Sequence, residues 1–245
     1  MTREDREPTE KWATDKGVEY GFAYDTSGLS AELGISGIPH AVLVDPFGDI
    51  VWRGRPAELS SEILEGALGL AIPSPMWTWP ASAGALREAI AEENLGRALE
   101  LAGSLDLPQL EGVQELLSVR VDRAVARVEA LVAEDDALGA SEAAGDLQAQ
   151  LGGGGLEQGD RVAKLAERLS TEPRLLAIAK DQQELRQAEA LWPENSAQLK
   201  ALDRALVAES LERAQAISAR YESGAPARQA QAAVERLEKL LDLVK

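Results

Sequence analysis

Apolar positions along this chain change their spacing near residue 72. From Ala81 to Lys245, hydrophobic residues recur at i, i+3 and i+4 in a background of Ala, Leu, Glu, Arg and Gln, the pattern of amphipathic helices. The spacing predicts helices over 83–103, 110–134, 137–151, 157–170, 173–191, 195–222 and 226–244. Each has a local reason to stop: Gly103 and Pro108, Asp135-Asp136, the run Gly152–Gly155, Thr171-Glu-Pro173, Pro193, and Ser223-Gly-Ala-Pro226. Successive helices with short connections favour antiparallel helical hairpins.

Before residue 72 the spacing is different. Ala41-Val-Leu-Val is a short continuous apolar run bounded by Pro39 and Asp45-Pro46, as a buried strand would be. Pro46 pre-sets φ for a turn and Gly48 tolerates positive φ, so the chain should reverse into an antiparallel partner, Ile50–Arg53. After Pro56, Leu59, Ile63, Leu64, Ala67 and Leu68 stand at helical spacing in Glu58–Leu70, giving a helix face that can pack on this hairpin. Upstream, Thr2–Lys16 suits a helix stopped by Gly17, Val18–Tyr24 carries strand-type residues, and Ser30–Leu33 suits a helical turn. Residues 1–71 therefore read α-β-α-β-β-α.

Between the two regions, Ile72-Pro-Ser-Pro-Met-Trp-Thr-Trp-Pro80 holds three prolines and two tryptophans, which suits an extended linker lying on apolar surface, with Trp77 or Trp79 as its anchor. Beyond it, Arg123–Leu151 and Arg213–Leu241 align without gaps with 8 identities in 29 positions, much of it alanine. Recurring small residues let helices approach closely, and the pattern resembles tetratricopeptide-type repeats without their full consensus. A long coiled coil is the alternative, and the frequent Gly and Pro breaks count against it.

The segment Ser36-Gly-Ile-Pro-His-Ala-Val-Leu-Val-Asp-Pro-Phe-Gly-Asp-Ile-Val-Trp-Arg-Gly-Arg-Pro56 resembles the last third of a thioredoxin-like domain of the TlpA/ResA or redoxin type. The resemblance covers residues 1–71; the family's first strands and its Cys-x-x-C helix have no counterpart. It implies a cis Ile38–Pro39 bond, with Ile38 and Pro39 as the place where an extended substrate or partner would pair. Read from the residues alone, Pro39 is an ordinary trans turn proline. The expected fold class is α+β: a truncated thioredoxin-like α/β unit over 1–71, a Pro/Trp linker over 72–82, and an all-helical, repeat-like domain over 83–245. The hydrophobic strand would then lack a family neighbour on one edge. That edge should be covered by Val18–Tyr24, by a C-terminal helix or by a second copy of the chain.

Composition removes most chemistry. The chain has no cysteine, so it contains no nucleophile for thiol–disulfide exchange. His40 is the only histidine, which leaves no His-based metal site and no triad that needs a second one. Gly152–Gly155 lacks the Lys-Ser/Thr of a phosphate loop and follows a helix, so it reads as a connector. Glu92-Glu93 and Asp135-Asp136 read as caps and solvated charge at helix ends, and Arg53 and Arg55 as a solvated pair after the second strand. No catalytic residue, metal or cofactor is expected.

The net charge is −17, from 25 basic and 42 acidic residues, and both regions share it: 6 against 13 over residues 1–80 and 19 against 29 over 81–245. Phosphate recognition needs a basic surface, so nucleic acid and anionic membrane are poor partners. No apolar stretch is long enough to span a bilayer, and the charged N-terminus is unlike a secretory signal. The chain by itself points to the cytoplasm, and to the periplasm or envelope if an upstream signal has been lost. Three readings follow: a non-catalytic thioredoxin-like protein whose helical region binds a protein partner or its own copy; the C-terminal part of a thiol-disulfide oxidoreductase whose catalytic part lies outside this chain; or a helical scaffold with an unrelated α/β cap.

Overall fold

The structure is a computed structural model that describes residues 6–17, 28, 32–35, 37, 39–69, 71–72, 74–152, 156–193 and 195–244. It is mostly helical, with one two-stranded sheet, and the chain divides into two compact units, Met1–Ala71 and Ile72–Lys245.

In the first unit, α1 (Arg6–Asp15) ends at Gly17, whose φ of +62° is the left-handed geometry that favours glycine. The strand predicted over Val18–Tyr24 lies outside the described residues. β1 (Ala41–Val44) and β2 (Ile50–Gly54) form the expected antiparallel hairpin, with Ala41 opposite Gly54 and a bulge between Leu43 and Val44. Its turn is held by Asp45, whose Oδ1 accepts bonds from the Phe47 and Asp49 amides at 2.9 and 3.0 Å, while Gly48 takes φ +90°. Among the described residues β2 is the only strand paired with β1.

The helix after the hairpin is shorter than its apolar spacing predicts. A 3₁₀ turn, Pro56–Glu58, precedes α2 (Ser61–Leu68), which starts where the Ser60 hydroxyl caps the Ile63 amide. α2 does not spread its apolar face over the hairpin: it has no extensive packing on β1 or β2, and none of its residues is buried. Thr9 and Ala13 are the only buried residues described in this unit, while Val44, Ile50, Val51, Leu64 and Leu68 are exposed. Among the described residues of this unit, little apolar surface is buried.

The second unit begins with the Pro/Trp segment, which folds into 3₁₀ turns at Met76–Thr78 and Ala81–Ala83. Trp79 is buried in the helical core and donates its indole N–H to the Ser74 carbonyl at 2.8 Å; Trp77 is 82% exposed. Helices α3 (Gly84–Ala91), α4 (Leu95–Ser104), α5 (Val113–Ala133), α6 (Ala137–Leu151), α7 (Glu157–Thr171) and α8 (Pro173–Glu189) follow. After them come the short α9 (Ser196–Ala201), then α10 (Arg204–Ser218) and α11 (Gly224–Leu243). Leaving the short α9 aside, each main helix packs on the next, α8 on α10 included, and α4–α6, α5–α7, α6–α8 and α8–α11 pack across the intervening one. This is a stack of helical hairpins in which contacts stay near in sequence.

Two predicted helices are each divided. The span 83–103 breaks at Glu92-Glu93-Asn94, where Glu93 takes φ +57° and the Asn94 side chain accepts the Arg97 amide at 3.1 Å. The span 195–222 breaks where the Asp203 side chain accepts the Ala205 amide at 2.8 Å and starts α10. Glu134-Asp135-Asp136 makes the same corner as Glu92-Glu93-Asn94. Asp135 has φ +61°, the Asp136 amide reaches back to the Leu131 carbonyl as Asn94 does to Ala89, and Asp136 caps the Gly139 amide. The corners lie 135 − 93 = 42 positions apart, and residues 89–105 match 131–147 at 7 of 17 positions.

The gapless alignment of Arg123–Leu151 with Arg213–Leu241 is a 90-residue shift that does not superpose the turns. Ser218 ends α10 but falls opposite Val128, inside α5 (218 − 90 = 128).

The α4–α6 contact depends on a missing side chain. A Cβ on Gly96 would lie 2.2 Å from the Leu151 carbonyl oxygen, which is backbone and cannot swing away. Alanine ordinarily gains up to about 1 kcal/mol over glycine within a helix, and this clash reverses the sign. Gly96→Ala is expected to lower stability by about 1–3 kcal/mol in urea unfolding. Gly145→Ala, with nothing within 4 Å of its would-be Cβ, should raise stability by about 0.5–1 kcal/mol.

Candidate functional site

The residues singled out by the family resemblance divide at the limit of what the structure describes. Ile38, and with it the Ile38–Pro39 bond, lies outside the described residues; Pro39 is exposed immediately before β1. His40 is half-buried, and its Nε2 is a buried atom without a hydrogen-bond partner. Among the described residues no group of three or more His, Cys, Asp or Glu is placed to hold a metal ion. Arg53 and Arg55 are exposed. The Gly152–Gly155 run is described only at Gly152, which takes φ +64° at the end of α6.

The densest polar cluster lies instead on α8, where spacing and chemistry conflict. Leu175 and Ile178 belong to one hydrophobic core, Leu185 and Ala188 to a second, and between them the same buried face carries Asp181 and Gln182, 4% and 3% exposed. Polar groups removed from water need partners. Asp181 receives the Arg220 guanidinium at 3.0 Å on Oδ1 and the Tyr221 hydroxyl at 2.7 Å on Oδ2. Gln182 donates through Nε2 to Asp136 Oδ1 and Gln229 Oε1, both at 2.9 Å, and accepts the Leu138 amide at 2.9 Å. Both donors of that carboxamide are in use, and its oxygen accepts one bond.

These partners come from two corners of the stack. Glu134 of the α5–α6 corner accepts the Ala225 amide on its carbonyl at 2.8 Å and pairs its carboxylate with Arg228 at 2.8 Å. Asp135 pairs with Arg174 at 2.6 Å. Gly224 opens α11 with φ +83°, and a Cβ there would lie 3.0 Å from the Glu134 carbonyl oxygen. The acidic pair at 135–136 is therefore more than solvated charge, since it forms half of a seam. Each oxygen of Asp181 is engaged by a neighbouring side chain, and the cluster ties the two corners to α8.

Sequence reasoning singled out the Asp135-Asp136 side of this seam and missed Asp181 and Gln182. A readable signal existed: the apolar stripe Leu175, Ile178, Leu185, Ala188 lacks its middle member, and Asp181-Gln182 fills the place.

A groove of about 190 Å³ runs between α8 and α10. Its floor includes Leu185 and Ala188, and Glu184, Leu191, Leu206 and Ser210 line its sides. Leu206 is 46% exposed there. A wider depression of about 400 Å³ beside Val132 and Leu165 is rimmed by Glu129, Asp135, Arg168 and Arg174; Asp135 and Arg174 are spent on each other. No described helix is long and apolar enough to cross a membrane.

Burial pushes the Tyr221 hydroxyl up to about 12 from its ordinary 10, and the bond to Asp181 and that carboxylate's charge push the same way. Arg220 opposes the rise, and Asp135 adds to it. Because the folded state holds this proton more tightly, its contribution to stability is complete below pH 10 and is lost as pH rises from 10 through 12. Urea midpoints followed over that window should fall more steeply for the native chain than for Tyr221→Phe. Equal slopes would remove Tyr221 from the seam.

Comparison with known proteins returned no matching family model, no matching curated protein and no matching solved structure.

Proposed function

We propose that this chain is a non-catalytic interaction protein, in which stacked helical hairpins present the groove between α8 and α10 to a protein partner or to a second copy of the chain. The groove carries the reading: it sets the exposed Leu206 beside the half-buried Leu191 and the buried Leu185 and Ala188, and an apolar groove on a helical scaffold suits the apolar face of an incoming segment. The hairpin unit is then a thioredoxin-like piece without its dithiol, and Pro39, with Ile38, marks a fold inherited without the family's reaction.

A second reading rests on a separate observation. The first unit buries few of its described residues and exposes Val44, Ile50, Val51, Leu64 and Leu68, as expected of the C-terminal part of a larger thioredoxin-like domain whose Cys-x-x-C portion is not in this sequence. An in-frame Cys-x-x-C coding segment just upstream of Met1 supports it, and an in-frame stop codon sinks it.

The interaction reading is tested with a photo-crosslinking residue placed at Leu206 in the full chain, and at Glu235 on the exposed face of α11 as control. Irradiation in the native host should give discrete covalent adducts from position 206 and none from 235. No adduct at 206, or the same adducts at both positions, would contradict it.

A further inference from the structure

We infer that the helical unit is built as two cooperative bodies sharing α8, and that the C-terminal body, α10 with α11, opens along the Asp181–Gln182 seam while the rest stays folded. The hydrophobic residues divide into two clusters, one running from Trp79 to Ile178 and one from Leu185 to Val244. Tyr221 is the one described side chain that packs against both. Where the clusters would merge, the structure places polar contacts instead: Asp181 with Arg220 and Tyr221, Gln182 with Gln229, and Glu134 with Ala225 and Arg228.

Parting the seam breaks mostly hydrogen bonds; its apolar part is Leu185 and Ala188 of α8, two of the ten buried members of the second cluster, the other eight lying on α10, on α11 and at Val244. Parting two apolar surfaces exposes hydrocarbon to water at a cost that grows with area. Parting hydrogen-bonded groups returns each to water, which replaces most of the lost bond. The Arg220 side chain is already 55% exposed, so water has access to the seam. Inside the C-terminal body cohesion is apolar, through Val207, Ala214, Ile217, Ala230, Ala233 and Leu237, all nearly inaccessible. Arg204 also ties the start of α10 to the Leu241 carbonyl at 2.9 Å. Both features make the two helices leave and return together. Opening uncovers the Asp181 carboxylate and breaks the Gln182–Gln229 bond, while Gln182 stays bonded to Asp136 and to the Leu138 amide.

Native-state hydrogen exchange on the full chain, read by mass spectrometry at low urea, tests this directly. Amides of α10 and α11 should exchange as one group with a shared urea dependence, while those of α5 and α6 remain protected. Tyr221→Phe should speed that group about tenfold, the loss of about one hydrogen bond, and leave α5 and α6 within about twofold. Val207→Ala, a cavity in the second cluster, should act on the same group alone. The inference is overturned if all four helices share one exchange free energy, if either variant speeds both pairs equally, or if α11 exchanges independently of α10.

Discussion

A carboxylate and a carboxamide taken out of water on α8 cannot be left without partners, and meeting that demand organises the C-terminal half of the helical stack. Leaving such a group unpaired costs about 1–3 kcal/mol, more when it is charged. Asp181 and Gln182 are answered by side chains and amides 39 to 47 residues away in sequence. Each answering group sits at or beside a helix corner. The α5–α6 corner and the start of α11 must therefore meet each other beside α8, as the bond from the Ala225 amide to the Glu134 carbonyl shows. Hydrophobic packing would tolerate sliding of one hairpin along the next; a doubly bonded carboxylate does not. Whether such networks add stability over an apolar alternative is a separate matter, since buried polar pairs often break even. Here they fix position.

The corners also show why part of the stack was legible and part was not. Thr171-Glu172-Pro173 and Gly152 carry conventional signals: α6 ends at Gly152, and α7 gives way to α8 at Thr171-Glu172-Pro173. Glu93 and Asp135 do the work usually given to glycine, taking a left-handed conformation that most side chains resist. An acidic residue in such a corner need not announce a break: the helix predicted through 83–103 ran past Glu93, although Asp135-Asp136 marks the end of the helix predicted over 110–134. What remained readable was the cap that follows: Asn94, Asp136 and Asp203 each accept an amide of the next helix. A search for small residues found a 90-residue repeat dominated by alanine. The repetition with structural meaning is the 42-residue one, which rests on the corner and its cap.

The hairpin was the most legible element, because an apolar run, a Pro-x-Gly turn and a second β-branched run leave few alternatives. The packing of the helix after it was not legible. Spacing shows that α2 has an apolar face, and nothing local says what that face meets. The same gap separates the candidate sites from their signals. Pro39 stands out only through the family resemblance, and the structure leaves it exposed beside an Ile38 that lies outside the described residues. Asp181 and Gln182 look like ordinary surface residues until the third dimension puts two cores on either side of them.

The claim on which the architecture turns is that Asp181 and Tyr221 act as a pair across the seam. A double-mutant cycle with Asp181→Asn and Tyr221→Phe, followed by urea unfolding, measures it directly. A coupling of about 0.5–3 kcal/mol, the range for residues in one hydrogen-bond network, is expected. Additive effects, with coupling near zero, would contradict the claim and leave the two clusters joined by the continuity of α8 alone.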